Sequence, residues 1–291
     1  MQVVRVWLLA VLVQLLLVTL AWSGSPVWKI SKGERHLYLA GTIHLLAPSD
    51  YPLAPGFEQA YAGSVKLVFE ADLLAMKRPE VQQQVLQKML YRDGRTLRQV
   101  LKPETMQALD RHLQARGMAL ERMQTFKPGM LSLVLTVVEM QRLGMGGTGV
   151  DEFYLVKGRA DGKQVAFLEE VGQQLEYLAA LGEGSEDQMV SHTLRDLVSL
   201  PQILQGMKAS WRSGDLAALE AQSIVPMKKD FPAVYKQLLV RRNQAWMPQI
   251  EAMLATAEVE YVLVGMLHLA GADGLLRLLE ARGYTVQMLT P

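Results

Sequence analysis

The sequence predicts an α/β fold: one central mixed β-sheet built from sequence-distant strands, with large helical insertions forming a cap. Three observations predict it. The strand candidates are unbroken apolar runs, which is the pattern of a sheet covered on both faces. Long stretches of helical periodicity separate them. The two runs that match each other best, "LYLAGTIHLL" from Leu37 to Leu46 and "YVLVGMLHLA" from Tyr261 to Ala270, lie near opposite ends of the chain.

Taken in order, the first element precedes the sheet. Arg5 is the only charge before Lys29, the run from Val6 to Trp22 is almost wholly apolar, and small residues follow in "SGSP". A basic start, an apolar run and an A-x-S site at Ala21 to Ser23 predict a signal peptide over 1–23. The protein is therefore expected to be exported, periplasmic or secreted, with a single domain over 24–291. Membrane contact is expected only through this segment, where it is retained uncleaved. After it, "VWKISKGERHLYLAGTIH" predicts two strands joined by the turn "SKGE", the second running into Gly41. "VKLVFEAD" from Val65 to Asp72 and "KQVAFLEE" from Lys163 to Glu170 are short β-rich runs ending in carboxylates. "VEYVLVGMLH" and the terminal "GYTVQML" complete the strands. Between Ala75 and Lys157 the runs "RPEVQQQVLQKML", "KPETMQALDRHLQARG" and "KPGMLSLVLTVVEMQRLG" predict helices. From Gly172 to Thr256 the pattern is helical again, with breaks expected at Pro201, Pro226, Pro232 and Pro248.

Composition narrows the function. The chain has 291 residues, half of them hydrophobic and 20% charged, which suits a folded globular protein with a substantial core. Lys and Arg number 30 against 29 Asp and Glu, with no long block of one sign, so no nucleic-acid partner is expected. There is no cysteine. That excludes a disulfide framework, a thiolate metal site, a cysteine nucleophile and a lipid-anchored cysteine.

In both matching segments a glycine and a histidine come where an apolar strand ends: Gly41 with His44, and Gly265 with His268. Ligands of open α/β sheets bind beyond the carboxyl ends of the strands, where loops converge. Glycine lets a turn point a histidine back over the sheet edge. The chain has five histidines and two share this context, so a metal site is the functional reading of the pair. His36, His112 and His192 sit in no such context and are read as structural. Two other strand candidates end in acid, one in Glu70 and Asp72, the other in Glu169 and Glu170. For Asp72 and Glu170 the helix-start reading is the stronger one. Where all four strands share one sheet and one direction, these carboxylates surround the histidines. Imidazole with carboxylate suits Zn, Mn, Co or Fe, and such a site polarises a carbonyl while an unligated glutamate shuttles a proton.

Asp151 falls at a helix start, where a cap and an active-site role are equally open. Arg241, Arg242 and Asn243 fall within a helix, where a solvated basic patch is the default reading. "GMGGTG" from Gly144 to Gly149 is not a phosphate loop, because no Lys-Ser/Thr follows it. The chain has no HExxH, which excludes a helix-borne zincin site, and no GxSxG, which argues against an ordinary serine hydrolase.

With these residues assembled, the chain resembles the TraB/GumN family, which includes the Tiki metalloproteases. Two GxxH motifs carry the resemblance, Gly41-Thr42-Ile43-His44 and Gly265-Met266-Leu267-His268. Between them stand "FEAD" with Glu70, "GVD" with Asp151, "FLEE" with Glu169, and "RRN" with Arg242 and Asn243. The resemblance spans about Val27 to Thr290. Glu170 stands where family members commonly carry threonine. The resemblance implies a sheet-centred fold similar to haem-binding ChaN and erythromycin-esterase-like proteins. It also implies a hydrolase dependent on a divalent metal, Mn, Co or Zn, acting on a peptide or protein substrate. His44, Glu70 and His268 would be the metal ligands, and Glu169 a second acidic ligand or general base. Arg242, which the "RN" pattern selects over its neighbour, would hold an oxyanion or a substrate carboxylate. Asp151 would orient an imidazole. The rival expectation is a non-catalytic protein that holds haem or a regulatory peptide on the same histidines.

Overall fold

The computed structural model describes residues 24–290; the segment 1–23, where the signal peptide is expected, lies outside them. Among the described residues no helix is long and apolar enough to cross a membrane. The strands are β1 Val27–Lys32, β2 Arg35–Thr42, β3 Leu45–Leu46, β4 Lys66–Phe69, β5 Gly147–Thr148, β6 Gln164–Phe167, β7 Glu260–Gly265 and β8 Thr285–Met288. Six of them form one sheet in the order β6-β4-β7-β2-β1-β8. Within it β2, β7, β4 and β6 are parallel neighbours. β1 runs antiparallel to both β2 and β8, which makes the sheet mixed.

The unbroken apolar runs are explained by burial. Leu37, Leu39, Ala40, Leu67, Val68 and Tyr261 through Val264 are fully buried, and each such aliphatic side chain contributes roughly 1.5–3 kcal/mol relative to exposure. The same apolar cluster takes Phe57 and Tyr61 from helix Pro55–Ala62 and Tyr154 and Leu155 from helix Val150–Ala160. Trp246, Met247 and Ile250 join it from helix Arg241–Leu254. The helical insertions have a core of their own. Leu109 and Leu113 of Pro103–Gln114 meet Leu131 and Leu135 of Pro128–Arg142 and Val190 and Leu197 of Glu186–Val198. This second cluster is the expected cap.

Two of the four expected proline breaks are absent. Phe231, ahead of Pro232, leaves the helical region, and Pro201 sits in the first turn of helix Leu200–Ser213. Pro226, however, lies inside a continuous helical run that starts at Leu216 and ends at Asp230. A five-residue π-turn, Glu220–Ile224, directly precedes it and loosens the bonding that proline would disrupt. Pro248 lies inside Arg241–Leu254. Both it and Gln244, whose carbonyl its ring displaces, are on the exposed side of that helix, so water can satisfy the freed group.

Candidate functional site

The four parallel strands end side by side, and each is followed at once by a site residue. His44 comes two residues after β2, Glu70 one after β4, Glu169 two after β6, and His268 three after β7. Phe69 pairs with Phe167 across β4 and β6, and the Glu169 N–H donates to the Glu70 carbonyl at 2.9 Å. The shared direction of these strands gathers all four side chains at the carboxyl end of the sheet, where α/β folds bind ligands.

His44 is held by a device the sequence concealed. β3 and β5 pair antiparallel, tying the segment after β2 to the segment before helix Val150–Ala160. The pairing lets Gly149 pack on the His44 backbone, where a Cβ would lie 2.2 Å from the His44 carbonyl oxygen. The Val150 N–H then donates to the Ile43 carbonyl at 3.0 Å. This brings Asp151 under the imidazole. Its Oδ2 lies 2.8 Å from His44 Nδ1, and its Oδ1 accepts from the Thr42 hydroxyl at 2.7 Å. Asp151 is 3% exposed, while the His44 side chain is 58% exposed to the cavity above it. The Asp151 charge, reinforced by its hydrogen bond, outweighs the cost of burial and raises the His44 pKa to about 9. Solvent in the cavity screens part of that pull.

His268 has the opposite environment. The Asn243 amide nitrogen donates to the carbonyls of His268, at 3.1 Å, and Asp273, at 2.8 Å. Its oxygen is therefore the acceptor facing His268 Nδ1 at 2.7 Å, so Nδ1 carries the proton and Nε2 the lone pair. Nε2 accepts from Arg242 Nη1 at 3.0 Å. Burial is the largest cause lowering the His268 pKa, to about 3, with the positive neighbours Arg242 and His44 acting in the same direction. Trp246 packs on the ring at 4.5 Å between centroids. One histidine is thus pushed up and the other down, a separation typical of functional pairs.

Arg242 lies between the acids. Its Nη2 bonds Glu70 Oε2 at 2.5 Å and Glu169 Oε1 at 2.6 Å, and its Nε bonds Glu169 Oε2 at 3.0 Å. All three side chains are less than a tenth exposed. Burial alone would raise the Glu70 pKa, but His268, Arg242, His44 and the Gly265 N–H together hold it down to about 2. For Glu169, burial is the largest cause and prevails over Arg242, so its pKa is raised. Arg242 itself is carried inward by the register of its helix. Residues 242, 243, 246, 247, 250 and 254 are buried, and the π-turn Lys236–Val240 leads into that stripe.

These elements converge beside Gly265. A Cβ built there would lie 3.2 Å from Glu70 Oε1, 3.5 Å from His44 Nε2 and 3.8 Å from His268 Cδ2, so the glycine leaves a point open between three prospective donor side chains. As arranged, the described residues hold no group of three or more His, Asp or Glu that could hold a metal ion. Arg242 takes up His268 Nε2 and Glu70 Oε2, leaving His44 Nε2 free.

The structure brings together His44, Glu70, Asp151, Arg242 and His268 around one cavity of about 570 Å³. Glu169 is not among the lining residues; it reaches the site through Arg242. The solvated-patch reading of Arg242 and Asn243 is overturned, since they are 6% and 1% exposed, and it holds for exposed Arg241. Arg242 grips Glu70, Glu169 and His268 here, not an outside anion. Asp72 and Glu170 have the helix-start roles expected of them: Asp72 accepts from the N–H groups of Leu74 and Ala75, and Glu170 caps helix Val171–Ala179. His36, His112 and His192 contribute nothing to the cavity lining. The sequence reading gave no role to Thr42, Asn243 or Trp246. The signal for Asn243 and Trp246 was their position on the buried stripe of the last long helix.

The chain is 25% identical over 250 residues to the uncharacterized protein YbaP of Escherichia coli (strain K12), and to the same degree to YbaP of Shigella flexneri. Each match covers 85% of this chain and 89% of the relative. No solved structure matches. The model of the TraB/PrgY/gumN family matches residues 26–288, nearly the whole described chain. The chain belongs to the TraB/PrgY/gumN family.

Proposed function

We propose that the protein is an exported, divalent-metal-dependent hydrolase of acyl bonds, peptide bonds among them. One observation carries this reading: outer partners, Asp151 and Asn243, hold both Nδ1 atoms, which leaves Nε2 as the inner nitrogen of each ring, His44 Nε2 3.5 Å from a Cβ built at Gly265 and His268 Nε2 3.7 Å from Glu70 Oε1. Histidines anchored through the far nitrogen are the usual preparation for a metal. Two imidazoles and the Glu70 carboxylate suit Mn, Co or Zn. The donor set fits once Arg242 releases His268 Nε2 and Glu70 Oε2. When bound, the ion supplies a Lewis acid for a carbonyl oxygen. Asp151 fixes the His44 tautomer, and Asn243 fixes that of His268. Arg242 places a permanent positive charge beside the cavity, where negative charge develops on the substrate oxygen. Glu169, with its pKa raised by burial, lies behind Arg242 and would take a proton from water and return it to the leaving group once that guanidinium shifts. Export is supported by the sequence pattern of residues 1–23, and N-terminal sequencing of the protein recovered from the cell envelope tests it.

The test combines elemental analysis of the purified protein with cleavage of peptide and ester libraries, with and without Mn or Co. Cleavage should require the metal and fall by about 100-fold or more in His44→Ala. Metal bound without metal-dependent cleavage would count against the enzyme. A Soret band on adding haem that is lost in His268→Ala would support the binding protein instead.

Gly265→Ala is a second check. The backbone there, φ −54° and ψ 136°, suits alanine, so the melting temperature should change little. The new methyl would crowd Glu70 Oε1 and fill the open point, so Mn affinity read by calorimetry should drop about 10–100-fold. Unchanged affinity would place any metal elsewhere.

A further inference from the structure

Above its polar floor the cavity is built for something the floor chemistry does not explain. Its volume, about 570 Å³, is that of a small-molecule site. The titratable side chains at its floor are His44, Glu70, Asp151, Arg242 and His268. The walls are apolar: Leu133, Val137 and Met140 of helix Pro128–Arg142, Met207 of helix Leu200–Ser213, and Leu238. Leu133 is 43% exposed and the other four are half-buried, so hydrocarbon faces open space around the cavity. An apolar surface gathered in one concavity marks the place where an apolar ligand is covered. Met140 and Met207 add flexible thioethers that adapt to a ligand's shape.

The polar wall groups decide the kind of ligand. They are Thr136, Gln174 and Tyr177, and Gln174 is turned towards Glu70 at 3.5 Å. A peptide entering this space would bring an N–H and a C=O for every residue, and most would lose water without gaining a partner. A hydrocarbon chain brings none. We infer that the cavity takes a long unbranched acyl chain, which makes the substrate an ester or amide whose acyl part lies along these walls with its carbonyl at the floor. The word substrate rests on the hydrolase reading above, whereas chain binding does not. In the reaction the water oxygen bonds to the acyl carbon and the C–O or C–N bond breaks. The leaving group takes a proton from that water, giving a fatty acid and an alcohol or amine.

The experiment titrates saturated straight-chain fatty acids, from butyrate to palmitate, into the full chain by calorimetry. Affinity should rise about fourfold per methylene until the cavity is full. Val137→Phe and Met207→Phe, on different helices, should each weaken the longest chains about 15-fold, the equivalent of two lost methylenes, and leave butyrate unaffected. Circular dichroism melts confirm folding, and either variant alone carries the test. A flat series, or fillings that change nothing, would overturn the assignment. Turnover of p-nitrophenyl esters of the same acids separates the two readings. Length-dependent binding without turnover overturns the hydrolase and leaves the acyl cavity standing. Turnover indifferent to length overturns the acyl cavity.

Discussion

Replacing Arg242 by methionine should destabilise the metal-free protein by about 3–5 kcal/mol at neutral pH, the cost typical of leaving a buried charge without its partner. Two carboxylates depend on this guanidinium, Glu70 and Glu169, and among the described residues neither has another cation within ion-pair distance except His268 beside Glu70 at 3.7 Å. His268 cannot substitute for it, because burial keeps that imidazole neutral at neutral pH. The pH dependence separates a lost charge pair from lost packing. In the wild type Glu70 has a folded pKa of about 2 against an ordinary 4.5, so its pairing stabilises above pH 4.5 and that contribution fades as pH falls towards 2. Without Arg242 one of the causes that hold the Glu70 pKa down is lost, so that pKa rises and the stabilisation from the ionised carboxylate above pH 4.5 shrinks. The gap between variant and wild type should therefore be largest above pH 5 and close towards pH 3, read by denaturant unfolding. A gap independent of pH would mean that Arg242 serves as packing alone. Mn or Co at about 100 times its dissociation constant should return roughly 2.7 kcal/mol to the variant, since His268 Nε2 and Glu70 Oε2 are then free to receive it.

Much of the fold was legible because its strands are locally marked. A run such as Tyr261 through Val264 has no polar residue to assign to a solvent face, so a doubly covered parallel strand was the available reading, and each of these residues is fully buried. The GxxH pair was legible for the same reason, since both motifs end such runs. Legibility failed where a role depends on contact across the fold. β3 and β5 have two residues each, too few to show a period, yet they fix the distance between His44 and Asp151. The "GMGGTG" run was read for what it could bind, whereas Gly149 is required by the close approach of the His44 backbone. Arg242 was ambiguous because its charge suggests solvent while its spacing does not. It stands four and eight residues before Trp246 and Ile250, on the apolar stripe of its helix, and a charge placed on that stripe is the sequence signature of a buried pair. The two unbroken prolines failed differently. Proline breaks a helix only where the displaced carbonyl cannot find water or a widened turn, and exposure and a π-turn are properties of the folded state.

Asp151→Asn should reduce turnover by about 10²–10⁴-fold while leaving the fold nearly intact, the scale seen when an imidazole is held in the wrong tautomer. The substitution conserves shape, and the amide oxygen can still accept from the Thr42 hydroxyl as Oδ1 now does. The other arm then presents an N–H₂ to His44 Nδ1 where a carboxylate oxygen stood at 2.8 Å. Nδ1 must become the acceptor, so the neutral ring keeps its proton on Nε2, whereas the wild-type ring keeps its proton on Nδ1 and presents an Nε2 lone pair to the cavity once its second proton has left. The same change removes the largest cause of the raised His44 pKa, so that pKa falls from about 9. A raised histidine pKa stabilises fully below pH 6.5 and ceases to do so as pH rises through 9. The wild type should accordingly lose stability across that interval, and the variant should not. Nuclear magnetic resonance titration of the His44 ring reads the pKa directly, and Asp151→Glu serves as the control that keeps the charge. Wild-type turnover in Asp151→Asn would sink the role given to His44 Nε2. A His44 pKa left near 9 would mean that Glu70, rather than Asp151, holds its proton.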